Sequence, residues 1–122
     1  MMAFASDAPL FDPVAIEKLR QVAGEDDNTF VAEIAAVFLE EATQSIEGLK
    51  LGCETGDWQT VSRLAHSVKS SAATLGLMRL SDACKALEFD TRKAASSGDT
   101  SSLVAVVRDQ FELALPTLKG LS

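Results

Sequence analysis

The sequence predicts an all-α fold: an antiparallel up-down four-helix bundle with an additional short N-terminal helix. Three observations predict it. Apolar residues recur at spacings of three and four through successive segments. Capping and turn residues punctuate those segments at short intervals, which forces neighbouring helices to run antiparallel. No stretch alternates as a strand does, and no repeat of about 20 to 50 residues is visible.

Residues 1–11, MMAFASDAPLF, read as a flexible leader, and residues 12–118 as the bundle domain. Asp12-Pro13 has the form of an N-cap followed by proline at the first helical position. VAIEKLRQVA follows, with Val14, Leu19 and Val22 apolar around Ile16, and Gly24 stops this short helix. EDDN supplies the next cap and places acids near the positive end of a helix dipole.

The longest helix is expected over about residues 29–53, with Phe30, Ile34, Val37, Phe38, Ala42, Ile46, Leu49 and Cys53 inward. Gly48 weakens it locally and suits a close helix contact. Gly52, Gly56 and Asp57 mark a turn and a new cap. The third helix, about residues 58–75, has the seam Trp58, Val61, Ala65, Val68, Ala72, Leu75 without a break. Gly76 stops it, and Leu77 is placed for the hydrophobic contact that accompanies such a stop.

The fourth helix is expected over about residues 78–95, with Leu80, Ala83, Cys84, Leu87 and Thr91 inward, and Ser-Ser-Gly-Asp makes the last turn. The fifth runs over about residues 100–115, with Leu103, Val107, Phe111 and Ala114 inward, and Pro116 should end or kink it.

Eleven basic against 18 acidic side chains give a net charge of −7. No local run gathers four or more Lys and Arg, so a nucleic-acid partner is not expected, and an acidic surface repels anionic lipid. The two cysteines, Cys53 and Cys84, lack CxxC spacing and read as small buried hydrophobes in a reducing compartment. The N-terminus lacks the charged and apolar regions of a secretory signal, and no run reaches the roughly 18 apolar residues of a membrane span. The expectation is a soluble cytoplasmic protein, monomeric because its core suffices alone.

The chain has one histidine, His66, on the third helix. At about 100° per residue it lies roughly 130° from the seam, so it faces away from the core. It shares a stripe with Gln59, Ser62, Lys69, Ser70 and Ala73. Lys69, three residues on, is its surface neighbour, and Ser62, Ser70 and Ala73 are small enough to leave the ring open to another protein. Periodicity alone is equally satisfied by a solvated histidine, a routine surface lysine and a tight small-residue helix contact.

RLAHSVKSSAATLG, residues 63–76, closely resembles the signature of histidine-containing phosphotransfer (HPt) domains, roughly A-H-x-[LVI]-K-[GS]-[SA]-[SA]-x-x-[LV]-G. Ala65, His66, Val68, Lys69, Ser70, Ser71, Leu75 and Gly76 fit it. FDPVAIEKLRQVAGEDDNTFVAEIAAVFLEEA is similar to the family's first two helices, GDW to its entry into the histidine helix, and LMRLSDACKALE to the helix that follows. Ser70 stands where many members have Gly, and it is still small.

The resemblance implies that His66 is phosphorylated, that Lys69 sits beside the phosphoryl group and that Gly76 closes the helix. It implies a carrier that takes the group from a receiver-domain aspartate and passes it to another receiver, with hybrid histidine kinases and response regulators as partners. It implies no cofactor on this chain, with Mg²⁺ on the partner receiver. Val14, an exposed flank of the second helix and the charges Arg63, Arg79 and Lys85 are candidate docking elements around a binding surface formed by Ser62, Ser70, Ala73 and Gly76.

No Gly-rich loop or kinase signature is present, so the chain reads as a stoichiometric carrier without kinase activity of its own. Kinase dimerisation helices follow their histidine with an acid and Arg-Thr-Pro, which are absent here. The alternative is a helical module that docks a receiver or kinase without accepting phosphate.

Overall fold

The computed structural model describes residues 6–24, 27–92 and 100–122. The described residues form five helices: α1 Pro13–Ala23, α2 Asp27–Thr55, α3 Trp58–Thr74, α4 Met78–Thr91 and α5 Thr100–Leu121. The cap expected in EDDN and the turn expected at 96–99 fall at positions outside the described residues or only partly within them.

Each start has its local cause. Asp12 Oδ1 accepts from the Val14 backbone N–H at 3.0 Å, and Pro13 needs no donor there. Asp57 does the same for α3, accepting from the Thr60 N–H at 3.2 Å and the Thr60 hydroxyl at 2.7 Å. That hydroxyl bond is the main reason the Asp57 carboxyl lies below its usual range.

α3 ends in a Schellman motif. The Gly76 N–H donates to Ala73 O at 3.1 Å and the Leu77 N–H to Ala72 O at 2.9 Å, while Leu77 is fully buried. Gly76 has φ +79°, and a Cβ there would stand 2.3 Å from the Asp12 carbonyl oxygen. The Asp12 N–H in turn donates to Gly76 O at 2.7 Å, so this glycine lets the start of α1 lie directly on the end of α3.

α2, α3, α4 and α5 pack as a closed ring, each on its two neighbours, and α1 covers the end shared by α2 and α3. The α3 seam is Val61, Ala65, Val68, Ala72 and Leu75, all buried, with Trp58 half-buried. α4 adds Leu80, Ala83, Cys84 and Leu87, and α5 adds Leu103, Val104, Val107, Phe111, Ala114 and Leu118. The Phe111 ring meets Phe38 of α2 edge-on at 6.5 Å. At Gly48 the helices approach so closely that a Cβ would stand 2.7 Å from Leu64 Cδ1.

Several expectations are corrected. On α1 only Ile16 is buried, while Val14 and Val22 are 55% and 79% exposed, because a short covering helix has a single inward line. On α2 the first half is rotated: Val31, Ala35 and Phe38 are buried, whereas Phe30 and Ile34 are half-buried and Val37 is 53% exposed. Both stripes have helical spacing, and the smaller residues take the crowded side.

Pro116 does not end α5, which continues to Leu121. Pro116 lies on the exposed side of the helix, as does Glu112, the residue whose carbonyl it deprives of an amide partner, and buried Leu118 anchors the final turn. α4 is Met78–Thr91, and the rest of the helix expected to about residue 95 lies outside the described residues. Within the expected leader, Ser6 Oγ donates to Asp82 Oδ2 at 2.7 Å and Arg79 Nε to Ala8 O at 3.3 Å, so Ser6 and Ala8 lie against α4.

Cys84 is buried, and burial pushes its thiol up to about 12, which makes it an inert core residue. Cys53 is half-buried, and both cysteines are free. No described helix is long and apolar enough to cross a membrane.

Candidate functional site

The α3 pattern that buries Ala65 and Val68 leaves His66 facing outward between them. Its side chain is 59% exposed. The ring leans toward α4, where Glu88 is 96% buried in spite of its charge. A buried carboxylate requires partners, and Glu88 has three. His66 Nδ1 lies 3.0 Å from Oε2, Lys69 Nζ donates to Oε1 at 2.7 Å, and Arg92 Nη2 donates to Oε2 at 2.7 Å.

The Lys69 bond is the largest influence holding Glu88 below the usual glutamate range, followed on the same side by the His66 bond, against the opposing effect of burial. Glu88 is therefore ionised near neutral pH and can only accept. An acceptor-only carboxylate calls for the proton on Nδ1, and in the neutral ring that tautomer has its lone pair on Nε2.

Two further bonds stiffen the arrangement. Ser81 Oγ donates to Lys69 O at 3.0 Å, tying α3 to α4 beside the site. Buried Thr100 Oγ1 donates to buried Asp90 Oδ2, tying the end of α4 to the start of α5. Because the same α4 turn carries Glu88 and Asp90, the carboxylate that meets His66 rests on a fixed backbone.

On the α3 stripe His66 and Ser70 are exposed, and Ser62, Lys69 and Ala73 are half-buried, Ala73 beside α1. Lys69 is only 28% exposed and is already engaged by Glu88, so its ammonium is held next to the ring by a third residue rather than standing free. Gly76 is buried under the Asp12 turn and is not part of the open surface; its role is to close the helix. Glu88 and Arg92 were not anticipated. The available signal was an acid among the inward positions of α4, one turn after Cys84 and next to Leu87.

Beside α3 on the other side runs a groove of about 380 Å³ lined by Phe30, Ile34, Val37, Ser71 and Thr74, among others. Among the described residues, no group of three or more His, Cys, Asp or Glu is placed to hold a metal ion.

A helical bundle that presents a solvent-facing imidazole, held by a buried carboxylate of the neighbouring helix, defines the class of protein. Residues 33–119 match the model of the Hpt domain family. The chain belongs to that family, whose work is histidine phosphotransfer in phosphorelays. Over 82 residues it is 28% identical to Multistep phosphorelay regulator 1 of Schizosaccharomyces pombe, a match covering 67% of this chain and 28% of that protein. The match thus spans little more than a quarter of that relative's length. The fold is that of histidine-containing phosphotransfer protein B (HptB) from Pseudomonas aeruginosa PAO1, with a TM-score of 0.80 at 21% identity over 93% of this chain and 95% of that one.

Proposed function

We propose that His66 accepts a phosphoryl group at Nε2 from the phosphoaspartate of a response-regulator receiver and passes it to the aspartate of another receiver. The observation that carries this reading is the geometry of one ring: Nδ1 committed to buried Glu88, Nε2 bare.

The Nε2 lone pair attacks phosphorus, the P–N bond forms, and the bond from phosphorus to the aspartate oxygen breaks. The ring becomes a cation as it bonds phosphorus, since the proton remains on Nδ1, and Glu88 offsets that charge from 3.0 Å. In the reverse transfer the imidazole leaves as a neutral ring with the same proton in place. No proton has to move in either direction, which suits a reaction governed by alignment and charge compensation.

Lys69, held beside the ring, supplies positive charge toward the phosphoryl oxygens. Mg²⁺ belongs to the receiver in this reading. The chain acts as a stoichiometric carrier without kinase activity, and its donor is a hybrid histidine kinase's receiver or a free one. The apolar strip of Phe30, Ile34 and Val37, with Val14 and Val22 of α1 exposed nearby in the chain, supports docking of a receiver across α1 and α2.

Mixing the protein with a ³²P-phosphorylated receiver tests the proposal. Label should appear on the wild type as acid-labile, alkali-stable phosphate and be absent from His66→Gln. Label on His66→Gln would overturn it. Receiver binding without transfer, unchanged in His66→Ala, would instead select the docking-only module.

A further inference from the structure

The chain carries −7 overall and has no basic run in its sequence, yet folding gathers cations around His66. Arg63 lies one turn before His66 on α3, and Lys69 one turn after it. Lys85 and Arg92 lie one turn to either side of Glu88 on the facing edge of α4. Arg63, Lys85 and Arg92 are exposed.

The acids of these two helices offset that charge only in part. α3 contains none, although its N-cap Asp57 feels the charge of Arg63. On α4, Glu88 sets one negative charge against both Lys69 and Arg92, Asp90 is buried against Thr100, and Asp82 accepts from Ser6. Arg79 does not belong to the patch, since it lies more than two turns from Glu88 and donates to Ala8 O. α2 is the opposite pole, with six acids against the single base Lys50, and Glu41 borders the groove it shares with Arg63.

We infer that Arg63, Lys69, Lys85 and Arg92, assembled around His66 from α3 and α4, form an electrostatic docking ring for the acidic rim of a receiver's phosphoaspartate site. This rests on the phosphocarrier reading for the identity of the partner. The complementarity follows from chemistry: a site that holds Mg²⁺ beside a phosphorylated aspartate is built from carboxylates. A basic island on an acidic protein attracts such a rim to α3 and α4 and keeps it off the acids of α2, leaving the apolar strip of α2 to meet the rest of the receiver. The ring therefore sets the orientation and the speed of encounter, while the apolar strip supplies the contact area.

The test separates binding from transfer. The affinity of His66→Gln for each Mg²⁺-loaded receiver of the source organism is measured by calorimetry at low and high NaCl. Second-order rate constants for transfer to the wild type are measured alongside. In both measurements Arg63→Glu/Lys85→Glu is compared with Lys50→Glu/Lys119→Glu, which makes the same change in net charge on other faces.

The ring predicts that the cognate receiver binds at least about tenfold more weakly after reversal at Arg63 and Lys85, that the control pair has little effect, and that raised salt abolishes the difference. Transfer with equal salt dependence and equal rate constants in both pairs overturns the docking ring and leaves the phosphocarrier reading intact. Salt-sensitive binding lost only in the Arg63/Lys85 pair, with wild-type His66 never labelled, upholds the ring and overturns the carrier. Absence of binding by every receiver overturns the ring.

Discussion

His66 Nδ1 lies 3.0 Å from Glu88 Oε2, so the only histidine of the chain is oriented by a carboxylate 22 residues away on the neighbouring helix. In the proposed function this pair divides the ring's two nitrogens into one that holds a proton and one that attacks phosphorus. It also explains how a carboxylate survives inside the bundle edge, since Lys69 and Arg92 share it.

His66→Gln should leave stability within about 0.5 kcal/mol of the wild type, because the ring is more than half exposed and Glu88 keeps its two cations. Thermal unfolding followed by circular dichroism checks this. A clearly lower melting temperature would make the ring a structural element.

Glu88→Gln preserves an acceptor oxygen for Nδ1–H but removes the charge that offsets the phosphorylated ring. Transfer should slow by about tenfold in Glu88→Gln and about a hundredfold in Glu88→Ala, where orientation is lost as well. Single-turnover rates at saturating receiver report it. Equal effects of the two variants would mean that the orienting bond adds nothing to the charge, and a wild-type rate in Glu88→Gln would mean that the charge contributes nothing.

Glu88 also makes stability depend on pH. Its folded pKa is depressed, chiefly by the Lys69 bond, so the unfolded chain binds more protons at acidic pH. The stabilisation is complete above the ordinary glutamate value near 4.3 and is lost as pH falls through the lower folded value. Denaturant titrations from pH 6 to pH 3 should show a shallower acid loss in Glu88→Gln than in the wild type.

Gly76→Ala should destabilise the fold by about 2 kcal/mol or more, combining the cost of a side chain at positive φ with a collision against the Asp12 backbone. Urea unfolding measures it. A cost below about 0.5 kcal/mol would show that α1 can lift from the end of α3.

The bundle was legible because α3 and α5 each repeat one apolar line, and a line at spacings of three and four admits one inward face. α2 was read a notch out of register because it has two adjacent apolar lines, and only its neighbours select Val31–Ala35–Phe38 over Phe30–Ile34–Val37. Pro116 misled because the cost of proline depends on whether the carbonyl it orphans faces water, which is a tertiary fact. His66 and Lys69 stood out on one stripe. Glu88 did not, since a lone glutamate on a helix is ordinarily solvated, and what buries it is a pair of cations, one of them from another helix.

The central claim is that Nε2 of His66 carries phosphate. The most direct test is ³¹P and ¹⁵N NMR of the protein after incubation with a phosphorylated receiver. The account predicts one phosphorus bonded to Nε2 of His66, with Nδ1 still protonated. Phosphate on Nδ1, on another residue, or on no residue with any receiver would contradict it.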